Sequence, residues 1–350
     1  MKAAVFQAPG RIQVQEMDVP LIGENDVLLK VRVVGICGSD LHTYRTGLYA
    51  FPNQVMGHEF CGEVVDMGHG VHGITRGQRV TGFSATVCGE CFWCKRQQFR
   101  LCPHLFETYT GYGMPGAMAE YVKITDAVLG TNLFVIPDEL TDEDAAMAEP
   151  LGTALYAMSR TKPQEADMVM VLGAGTIGNL LMQGLKASSV NRVIVTEVSP
   201  HRADLARELG ADVVINPQQS ADMIETVQSL TGKGDHHFGS GGMADIVYDT
   251  AATRHTFNDA VNFVRAGGVV ALVGLTEAAS TVDVSRIILK DIRIVGALGS
   301  IIPRGLDYLR RGLARASPLV THRFALEEAD QAFNTLLRDP VAMKVLLLVS

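Results

Sequence analysis

The stretch that decides the fold is MVMVLGAGTIGNLLMQGLKA, residues 168–187. It begins with a short apolar run, passes through the spaced glycines Gly173, Gly175 and Gly178, and continues with a helical pattern. Glycines at this spacing between a strand and a helix permit a tight turn, a close approach of the backbone to a pyrophosphate, and close helix–strand packing. The stretch therefore predicts a nucleotide-binding strand–turn–helix unit.

Apolar runs alternate with helical stretches beyond this unit. The further predicted strands are RVIVTE (192–197), DVVI (212–215), ADIVYDT (244–250), GGVVALVG (267–274) and IRIVGAL (292–298). Six strands separated mostly by helices are typical of βαβ units with right-handed crossovers and a parallel sheet. The fold class predicted here is α/β, with a doubly wound Rossmann sheet.

Glu197 ends the strand after the glycine turn, nineteen residues beyond Gly178. A carboxylate at this position accepts hydrogen bonds from the adenosine ribose hydroxyls and repels the 2′-phosphate of NADP. Arg202 lies five residues farther on, where its charge would partly compensate that repulsion. The pattern favours NAD as the cofactor.

The first part of the chain, residues 1 to about 145, has a different hydrophobic pattern. Short alternating segments such as VLLKVRVVG (27–35) and EVVDMG (63–68) are broken by glycine, proline and asparagine. Alternation with a period of two is the signature of strands with one buried face. This region predicts an antiparallel, β-rich domain.

A helical region and a returning C-terminal segment complete the predicted organisation. TDEDAAMAEPLGTALYAM (141–158) reads as helical, with Thr141 as N-cap and Pro150 at the start of a second segment. Because a residue before proline is kept out of a helix, we expect Glu149 to lie outside both helical segments. Residues 300–350 predict two helices and a final strand, VLLLV, that returns to the first domain.

Four of the six cysteines lie within CGECFWCKRQQFRLC. Cys88, Cys91, Cys94 and Cys102 have the spacing C-x2-C-x2-C-x7-C, which supplies enough thiolates for a closed tetrahedral zinc site. An iron–sulfur cluster or fortuitous free cysteines are the alternatives. Four thiolates leave zinc no open position, so the predicted role is structural.

A catalytic zinc needs about three protein ligands and an open position. The remaining cysteines are Cys37 in GICGSDLH and Cys61 in GHEFCGE, and these two segments also contain His42, His58 and Glu59. The residue types alone do not choose among these five.

Composition limits the partners. Hydrophobic residues make up 47% of the 350 residues and the formal net charge is −8, which gives no electrostatic footprint for nucleic acid or acidic membranes. Lys95, Arg96, Arg100 and Trp93 allow a nucleic-acid-binding zinc module as an alternative, but the acidity of the chain argues against it. The first residues, MKAAVFQAPG, contain no apolar run of signal-peptide length, and no stretch approaches the roughly 18 apolar residues of a membrane span. We expect a cytoplasmic protein with a small-molecule partner, and neither nucleic-acid nor membrane binding.

The ordered motifs GICGSDLH, GHEFCGEVV, the four-cysteine stretch, EPLGTALYA and VLGAGTIG resemble those of the zinc-dependent medium-chain dehydrogenases. The resemblance covers nearly the whole chain. It is nearest to the sorbitol, threonine and butanediol dehydrogenase branch, because Glu149 precedes Pro150 where the classical alcohol dehydrogenases carry a cysteine ligand.

The resemblance implies specific roles for residues near a catalytic zinc. Cys37 and His58 are implied ligands, and Glu59 and Glu149 are implied to bind the ion directly or through water. Cys61 is implied to be a packed thiol.

The same resemblance implies a proton relay. Ser39 would hydrogen-bond the substrate oxygen and pass its proton through the nicotinamide ribose to His42. Asp40 would orient the zinc ligands, as carboxylates behind metal ligands commonly do. The implied reaction is hydride transfer between NAD and a secondary alcohol, diol or polyol-like substrate, or the corresponding ketone.

The family also implies the organisation of the chain. A GroES-like catalytic domain would comprise 1–148 and 298–350, and a Rossmann NAD-binding domain 149–297. Two zinc ions per chain, one catalytic and one structural, and a homo-oligomer, a tetramer in preference to a dimer, are further expectations. The candidate cofactor-binding residues are Gly173, Gly175, Thr176, Ile177, Gly178, Glu197, Arg202, Val273, Gly274, Leu275, Ala297 and Leu298.

Two departures limit the assignment. Gly299 lies near the position where sorbitol dehydrogenases carry an arginine that grips the polyol, which argues against sorbitol itself. The segment GKGDHHFGSGG (232–242) is longer than the usual family connection, and His236 and His237 among its glycines predict a flexible solvated loop in preference to a metal site. A catalytically silent NAD- and zinc-binding protein of the same fold is the alternative function.

Overall fold

The computed structural model describes residues 1–51 and 53–349. Two compact units can be distinguished. The first comprises Met1–Glu149, Ile302–Arg310 and Leu319–Ser350, and the second Pro150–Ile301 and Arg311–Pro318.

The regular elements follow the alternation of the sequence. The strands are β1 (Lys2–Ala8), β2 (Arg11–Glu16), β3 (Val27–Gly35), β4 (Glu59–Met67), β5 (Arg79–Gly82), β6 (Tyr121–Ile124), β7 (Leu133–Val135), β8 (Met168–Leu172), β9 (Arg192–Thr196), β10 (Val213–Ile215), β11 (Gly234–His236), β12 (Gly239–Gly241), β13 (Ala244–Asp249), β14 (Val264–Leu272), β15 (Arg293–Gly296), β16 (Val320–Ala325) and β17 (Lys344–Leu348). The α-helices are α1 (Gly38–Thr46), α2 (Asp142–Ala146), α3 (Ala148–Thr161), α4 (Thr176–Ala187), α5 (Pro200–Glu208), α6 (Met223–Thr231), α7 (Thr256–Phe263), α8 (Val284–Leu289), α9 (Ile302–Arg310) and α10 (Ala329–Arg338).

The second unit contains a six-stranded sheet in the order β10-β9-β8-β13-β14-β15. Every neighbouring pair in it is parallel. The order reverses direction between β8 and β13, which is the topological switch point where open α/β sheets bind ligands. All six predicted strands and the doubly wound topology are confirmed.

The first unit is built on a seven-stranded sheet and a separate β1–β2 pair. β3 lies near its centre and pairs antiparallel with β4, β6 and β17. The apolar faces of these strands form one core, which includes Val31, Val34, Phe60 and Leu347. The prediction that the last strand returns to the first domain is confirmed.

The predicted N-cap at Thr141 is also present. Its hydroxyl accepts a hydrogen bond from the Asp144 N–H at 3.1 Å, which satisfies one of the free amides at the start of α2.

The segment 232–242, predicted as a flexible solvated loop, contains two short strands. β11 and β12 pair antiparallel within it, with His236 opposite Gly239, so it forms a short hairpin. Phe238 lies at the turn with a φ of 63°, a left-handed conformation that closes the hairpin between the two strands. The density of glycine concealed the strand pairing.

No helix in the described part of the chain has both the length and the apolar character needed to cross a membrane.

Candidate active site and metal centres

The ends of three strands meet at one edge of the seven-stranded sheet. Gly35 at the end of β3 lies opposite Glu59 at the start of β4, and also opposite Leu346 of β17. Because both pairs are antiparallel, the residues just after β3 and just before β4 emerge together. Cys37 and His58, 21 positions apart in sequence, are thereby brought into contact. We call Cys37, His58, Glu59 and Lys344 the sheet-edge site.

The Cys37 side chain lies close enough to the His58 imidazole to raise the pKa of that imidazole. Burial alone lowers the pKa of the His58 imidazole. Negative charge, from Asp40 first and then Cys37, outweighs burial and raises that pKa well above its ordinary value, and Glu149 adds to the effect. A thiol and an imidazole in this negative potential are donors of the kind that zinc takes, although among the described residues no third ligand atom gathers with them as closely as in the four-cysteine stretch.

Asp40 touches both predicted ligands. Its Oδ2 accepts a hydrogen bond from the Cys37 N–H at 3.0 Å, which fixes the backbone at the start of α1. Its Oδ1 lies 3.8 Å from Nδ1 of His58, a buried nitrogen for which the described residues provide no hydrogen-bond partner. Burial raises the pKa of the Asp40 carboxyl. The carboxylate is therefore placed to orient the imidazole electrostatically.

Glu59 is engaged by a lysine from the last strand. The fully buried Glu59 Oε2 lies 2.5 Å from Lys344 Nζ, which also donates to the Ile36 carbonyl at 3.0 Å. A Cβ on Gly35 would lie 2.6 Å from the same Glu59 oxygen, so a larger residue there would displace this carboxylate from its position beside Lys344. Burial lowers the pKa of Lys344, but the charges of Glu59 and Cys37 raise it above its ordinary value overall.

Glu149 lies within the first turn of α3, so the expectation that Pro150 keeps it out of the helix is wrong. Proline is tolerated in a first turn because the N–H that it lacks has no partner inside the helix. The Glu149 charge nevertheless acts at the site, since it raises the pKa of both His58 and Tyr109.

Ser39 and His42 lie one turn apart on α1, a spacing that puts them on neighbouring parts of one helix face. Ser39 is buried, and its Oγ accepts a hydrogen bond from the Tyr112 hydroxyl at 2.9 Å. The Tyr112 ring stacks on His58 with centroids 5.5 Å apart. Burial raises the pKa of Tyr112 above its ordinary range, so this hydroxyl remains protonated and can donate.

The four-cysteine lobe, residues 88–102, gathers its sulfurs tightly. The ligand atoms of Cys88, Cys91, Cys94 and Cys102 all lie within 4.8 Å of one another. Two of the separations are 3.7 and 4.0 Å, close to the edge of roughly 3.8 Å expected for a tetrahedron with Zn–S bonds of about 2.3 Å. Disulfides are excluded, because an S–S bond is about 2.05 Å long.

Backbone amides support this thiolate set. The N–H of Cys91 points to Cys88 Sγ and the N–H of Cys94 to Cys91 Sγ, both at 3.4 Å. Hydrogen bonds from the backbone, Glu90 first, lower the pKa of Cys88 to about 6. Burial instead raises the pKa of Cys94 to about 12. Within residues 1–51 and 53–349, this is the single group of three or more His, Cys, Asp or Glu side chains that gathers as a metal site.

The three glycines of the turn in the second unit differ in backbone conformation and in the space around them. Gly173 has a φ of 95°, which suits only glycine well. A Cβ on Gly178 would lie 1.9 Å from the Gly173 carbonyl oxygen, so the helix could not approach the strand with any larger residue. A Cβ on Gly175 would meet nothing within 4 Å, which leaves open space at the N-terminus of α4. Such a space beside free N–H groups fits a pyrophosphate.

Glu197 lies directly after β9 and is buried. Its Oε2 accepts from the Ala174 N–H at 2.8 Å. Its Oε1 accepts from the N–H groups of Val198 and Ser199 at 2.9 and 2.8 Å. The carboxylate is thus held against the glycine turn, and Arg202 follows on α5.

The other candidate cofactor residues lie at helix and strand ends of the same unit. Thr176 and Ile177 open α4. Val273 and Gly274 follow β14, and their N–H groups donate to the Asp249 carbonyl at 3.0 and 3.1 Å. The remaining candidates are the exposed Leu275 and Leu298 and the buried Ala297, which follow β14 and β15.

Comparison with known families accounts for both units. Residues 23–137 match the sequence model of the alcohol dehydrogenase GroES-like domain, and residues 176–306 match that of the zinc-binding dehydrogenases. The chain belongs to the zinc-dependent medium-chain dehydrogenases. The GroES-like plus Rossmann fold prediction is confirmed, and so is the prediction of an oxidoreductase.

Several members of this dehydrogenase family are similar over nearly their full length. The sorbitol dehydrogenase of Bacillus subtilis (strain 168) is 32% identical over 345 residues, 97% of this chain and 94% of that protein. The D-arabitol-phosphate dehydrogenase of Enterococcus avium is 34% identical, with 95% and 94% coverage. The crystal structure of 2R,3R-butanediol dehydrogenase from Bacillus subtilis has a TM-score of 0.86 at 28% identity, covering 99% of each chain.

Two residues of this dehydrogenase that touch the predicted site were missed from the sequence. Lys344 carried a signal, because a lysine opens an otherwise apolar strand, KVLLLV, and a buried charge requires a partner. Tyr112 carried a weaker one, as an aromatic residue between glycines in TGYGMPG shortly after the four-cysteine lobe. Neither signal identifies the partner.

Proposed function

We propose that the protein oxidises a secondary alcohol, a diol or polyol-like compound, to the corresponding ketone with NAD as hydride acceptor, and catalyses the reverse reduction. The observation that carries the proposal is the meeting of Cys37 and His58 at one sheet edge, with Ser39 beside them and Glu149 within electrostatic reach. None of these polar groups is needed merely to fold. Their burial together has a cost that a catalytic role explains.

The proposed ligands of the catalytic zinc are Cys37 and His58, with Glu149 as a third donor, directly or through water. When bound, the ion supplies Lewis acidity that favours loss of the proton from an alcohol. Glu59 is proposed as an outer partner, because Lys344 already holds its Oε2 at 2.5 Å. Asp40 orients both ligands from behind. The four-cysteine lobe is proposed to hold a second, structural zinc.

Ser39 and His42 are proposed to move the proton. The substrate hydroxyl donates its proton to Ser39 Oγ as Ser39 releases its own toward His42 and solvent. The spacing of one helical turn on α1 supports this order. General acid–base transfer of this type typically contributes about 10²–10⁴-fold to a rate.

The second unit is proposed to bind the cofactor. The open space at Gly175 fits the pyrophosphate, and the Glu197 carboxylate fits the ribose hydroxyls of NAD. NAD supplies the hydride acceptor when it is bound. We propose that 149–297 forms the NAD-binding domain and that 1–148 with 298–350 forms the catalytic domain, in an oligomeric and cytoplasmic enzyme.

The relatives support the substrate class. Their names concern sorbitol, D-arabitol phosphate and 2R,3R-butanediol, all of which carry neighbouring hydroxyl groups. Gly299 in place of an arginine that would grip sorbitol argues for a shorter diol or a different polyol.

The test is NAD reduction over a panel of secondary alcohols, vicinal diols and polyols, with metal analysis of the same samples. Cys37→Ala should lose one zinc per chain. Its kcat/KM should fall by at least about 10³-fold, because the Lewis acidity of the lost ion lowers the activation barrier by several kcal/mol. Cys61→Ala is the matched control: this buried thiol donates to Asp142 at 3.4 Å, away from the proposed donor set. Robust turnover by Cys37→Ala would refute a zinc mechanism at this site. NAD binding without any turnover by the unaltered protein would favour a catalytically silent relative.

A further inference from the structure

Tyr112 stands in a turn whose backbone is tightly constrained. The Tyr112 N–H donates to the Tyr109 carbonyl at 3.0 Å. On one side, Gly111 has a φ of 84°, and a Cβ there would lie 3.0 Å from the Gly57 carbonyl oxygen. On the other, a Cβ on Gly113 would lie 2.1 Å from the Glu107 carbonyl oxygen. The turn is therefore fixed against Gly57, the residue just before His58.

The ring of Tyr112 is held by other aromatic rings. It stacks on His58 and packs edge-to-face against Phe106 and Tyr109, with centroids 5.5, 5.0 and 6.0 Å away. Offset and edge-to-face pairs of this kind are favourable beyond their burial. With backbone and ring both fixed, the hydroxyl has a fixed position, 2.9 Å from Ser39 Oγ.

The hydrogen bond from Tyr112 limits how the Ser39 hydroxyl can be oriented. A serine hydroxyl has one proton to donate and two lone pairs to accept with. In the proton transfer proposed above, Ser39 donates toward His42 and accepts the proton from the substrate, which uses one lone pair. The Tyr112 O–H fills the other. All three capacities of the Ser39 hydroxyl are then assigned, and its rotation about the Cβ–Oγ bond is fixed.

We propose that Tyr112 is a positioning residue for proton transfer, whose hydroxyl orients Ser39 by donating to its Oγ. The proposal rests on the function proposed above. In the transfer, the substrate O–H bond breaks as a new O–H bond forms on Ser39 and the original Ser39 proton leaves toward His42. The Tyr112 proton stays on its own oxygen and stabilises the negative charge that develops on Ser39 Oγ during this exchange.

The ring and the hydroxyl of Tyr112 have separable effects. Tyr112→Phe removes only the hydroxyl and retains the stacking on His58, whereas Tyr112→Ala removes both. Positioning through Ser39 therefore predicts a change in kcat for Tyr112→Phe with little change in KM or in zinc binding. A purely structural role of the ring predicts that only Tyr112→Ala has an effect.

The test uses the zinc-loaded enzyme and the best substrate of the alcohol panel, with Tyr112→Phe, Tyr112→Ala, Ser39→Ala and the double variant Ser39→Ala/Tyr112→Phe. Tyr121→Phe on β6 serves as the control tyrosine. Tyr112→Phe should lower kcat about tenfold to a hundredfold at nearly constant KM. The double variant should be no slower than Ser39→Ala alone, because residues that act as a unit are not additive. Zinc affinity, measured by competition with a chelator, should be unchanged in Tyr112→Phe and weakened in Tyr112→Ala.

Three results would overturn the proposal. They are an unchanged kcat in Tyr112→Phe, multiplicative losses in the double variant, and loss of zinc from Tyr112→Phe. If the unaltered enzyme turns over no alcohol, the proposed function fails and this inference fails with it. If the unaltered enzyme is active and Tyr112→Phe matches it, only the role of Tyr112 fails.

Discussion

The four-cysteine lobe and the sheet-edge site both contain side chains of metal-binding types, but they take them from very different lengths of chain. The lobe takes all four sulfurs from residues 88–102 and holds them within 4.8 Å. The sheet-edge site joins Cys37, His58 and Glu59 to Lys344, which is 285 positions from Glu59. The lobe is organised by local turns, and the sheet-edge site by the pairing of β3 with β4 and β17.

This difference suggests a division of labour. Thiolates close together in sequence make a site that is complete in itself, which suits a structural ion. The strand ends instead bring an imidazole and a thiol together, with the Asp40 carboxylate 3.8 Å from the imidazole and the Tyr112 ring stacked on it. Mixed nitrogen, sulfur and oxygen donors are typical of catalytic zinc sites, in keeping with the function proposed above.

The largest contrast between stability and turnover should come from Cys91→Ala, which removes one thiolate of the four-cysteine lobe. Zinc content should fall by one ion per chain and Tm by roughly 10 °C or more, because structural zinc contributes directly to folding free energy. Turnover by the protein that remains folded at 25 °C should stay within a few-fold of the unaltered enzyme. Metal analysis, thermal unfolding and steady-state kinetics measure the three quantities.

Cys37→Ala is the counterpart, expected to lose turnover with a smaller change in Tm. A stably folded Cys91→Ala protein that loses only turnover would reverse the comparison, and the two zinc sites would have to exchange roles.

Lys344→Met should have the next largest effect and tests the dependence of the sheet-edge site on a distant strand. It leaves the Glu59 carboxylate buried without its cation, which typically costs about 3–5 kcal/mol in free energy of unfolding. Urea denaturation measures the loss. The double variant Lys344→Met/Glu59→Gln should recover part of it, because the unpaired charge is gone. A loss below about 1 kcal/mol would mean that the pair is not what holds this edge together.

Cysteine reactivity should show the smallest difference, within the lobe itself. In zinc-stripped protein at pH 7, Cys88 should react with iodoacetamide at least about tenfold faster than Cys94, because the thiolate is the nucleophile. Cys88, with its pKa lowered to about 6, is mostly ionised at that pH, whereas Cys94, with its pKa raised to about 12, is not. Lowering the pH below about 6 protonates Cys88, so its advantage should shrink.

Peptide mass spectrometry after short pulses reads out each site, with the buried Cys61 as an internal slow reference. Equal rates at Cys88 and Cys94 would contradict the predicted difference in pKa between these two thiols.

The sequence predicted what depends on short-range spacing. The glycine turn at Gly173, the six parallel strands and the four-cysteine spacing follow from local periodicity, and the structure has them where they were predicted. Thr141 likewise caps α2 because its hydroxyl needs only the amide three residues on.

What escaped prediction depends on pairing between distant segments or on competing local rules. Lys344 meets Glu59 only because β17 and β4 flank β3, a relation that no spacing encodes. Glu149 is helical although a proline follows it, since a first turn tolerates the missing N–H. The 232–242 hairpin was hidden by its glycines.

The position of Lys344 in the last strand also has a consequence for folding during synthesis on the ribosome. Synthesis at about 5–20 residues per second separates Glu59 from its cation by roughly 15–60 s, given the 285 positions between them. Throughout that interval a folded β3–β4 edge would bury an uncompensated carboxylate. The nascent first unit should therefore stay open at this edge, accessible to chaperones and proteases, until its last strand emerges and closes it.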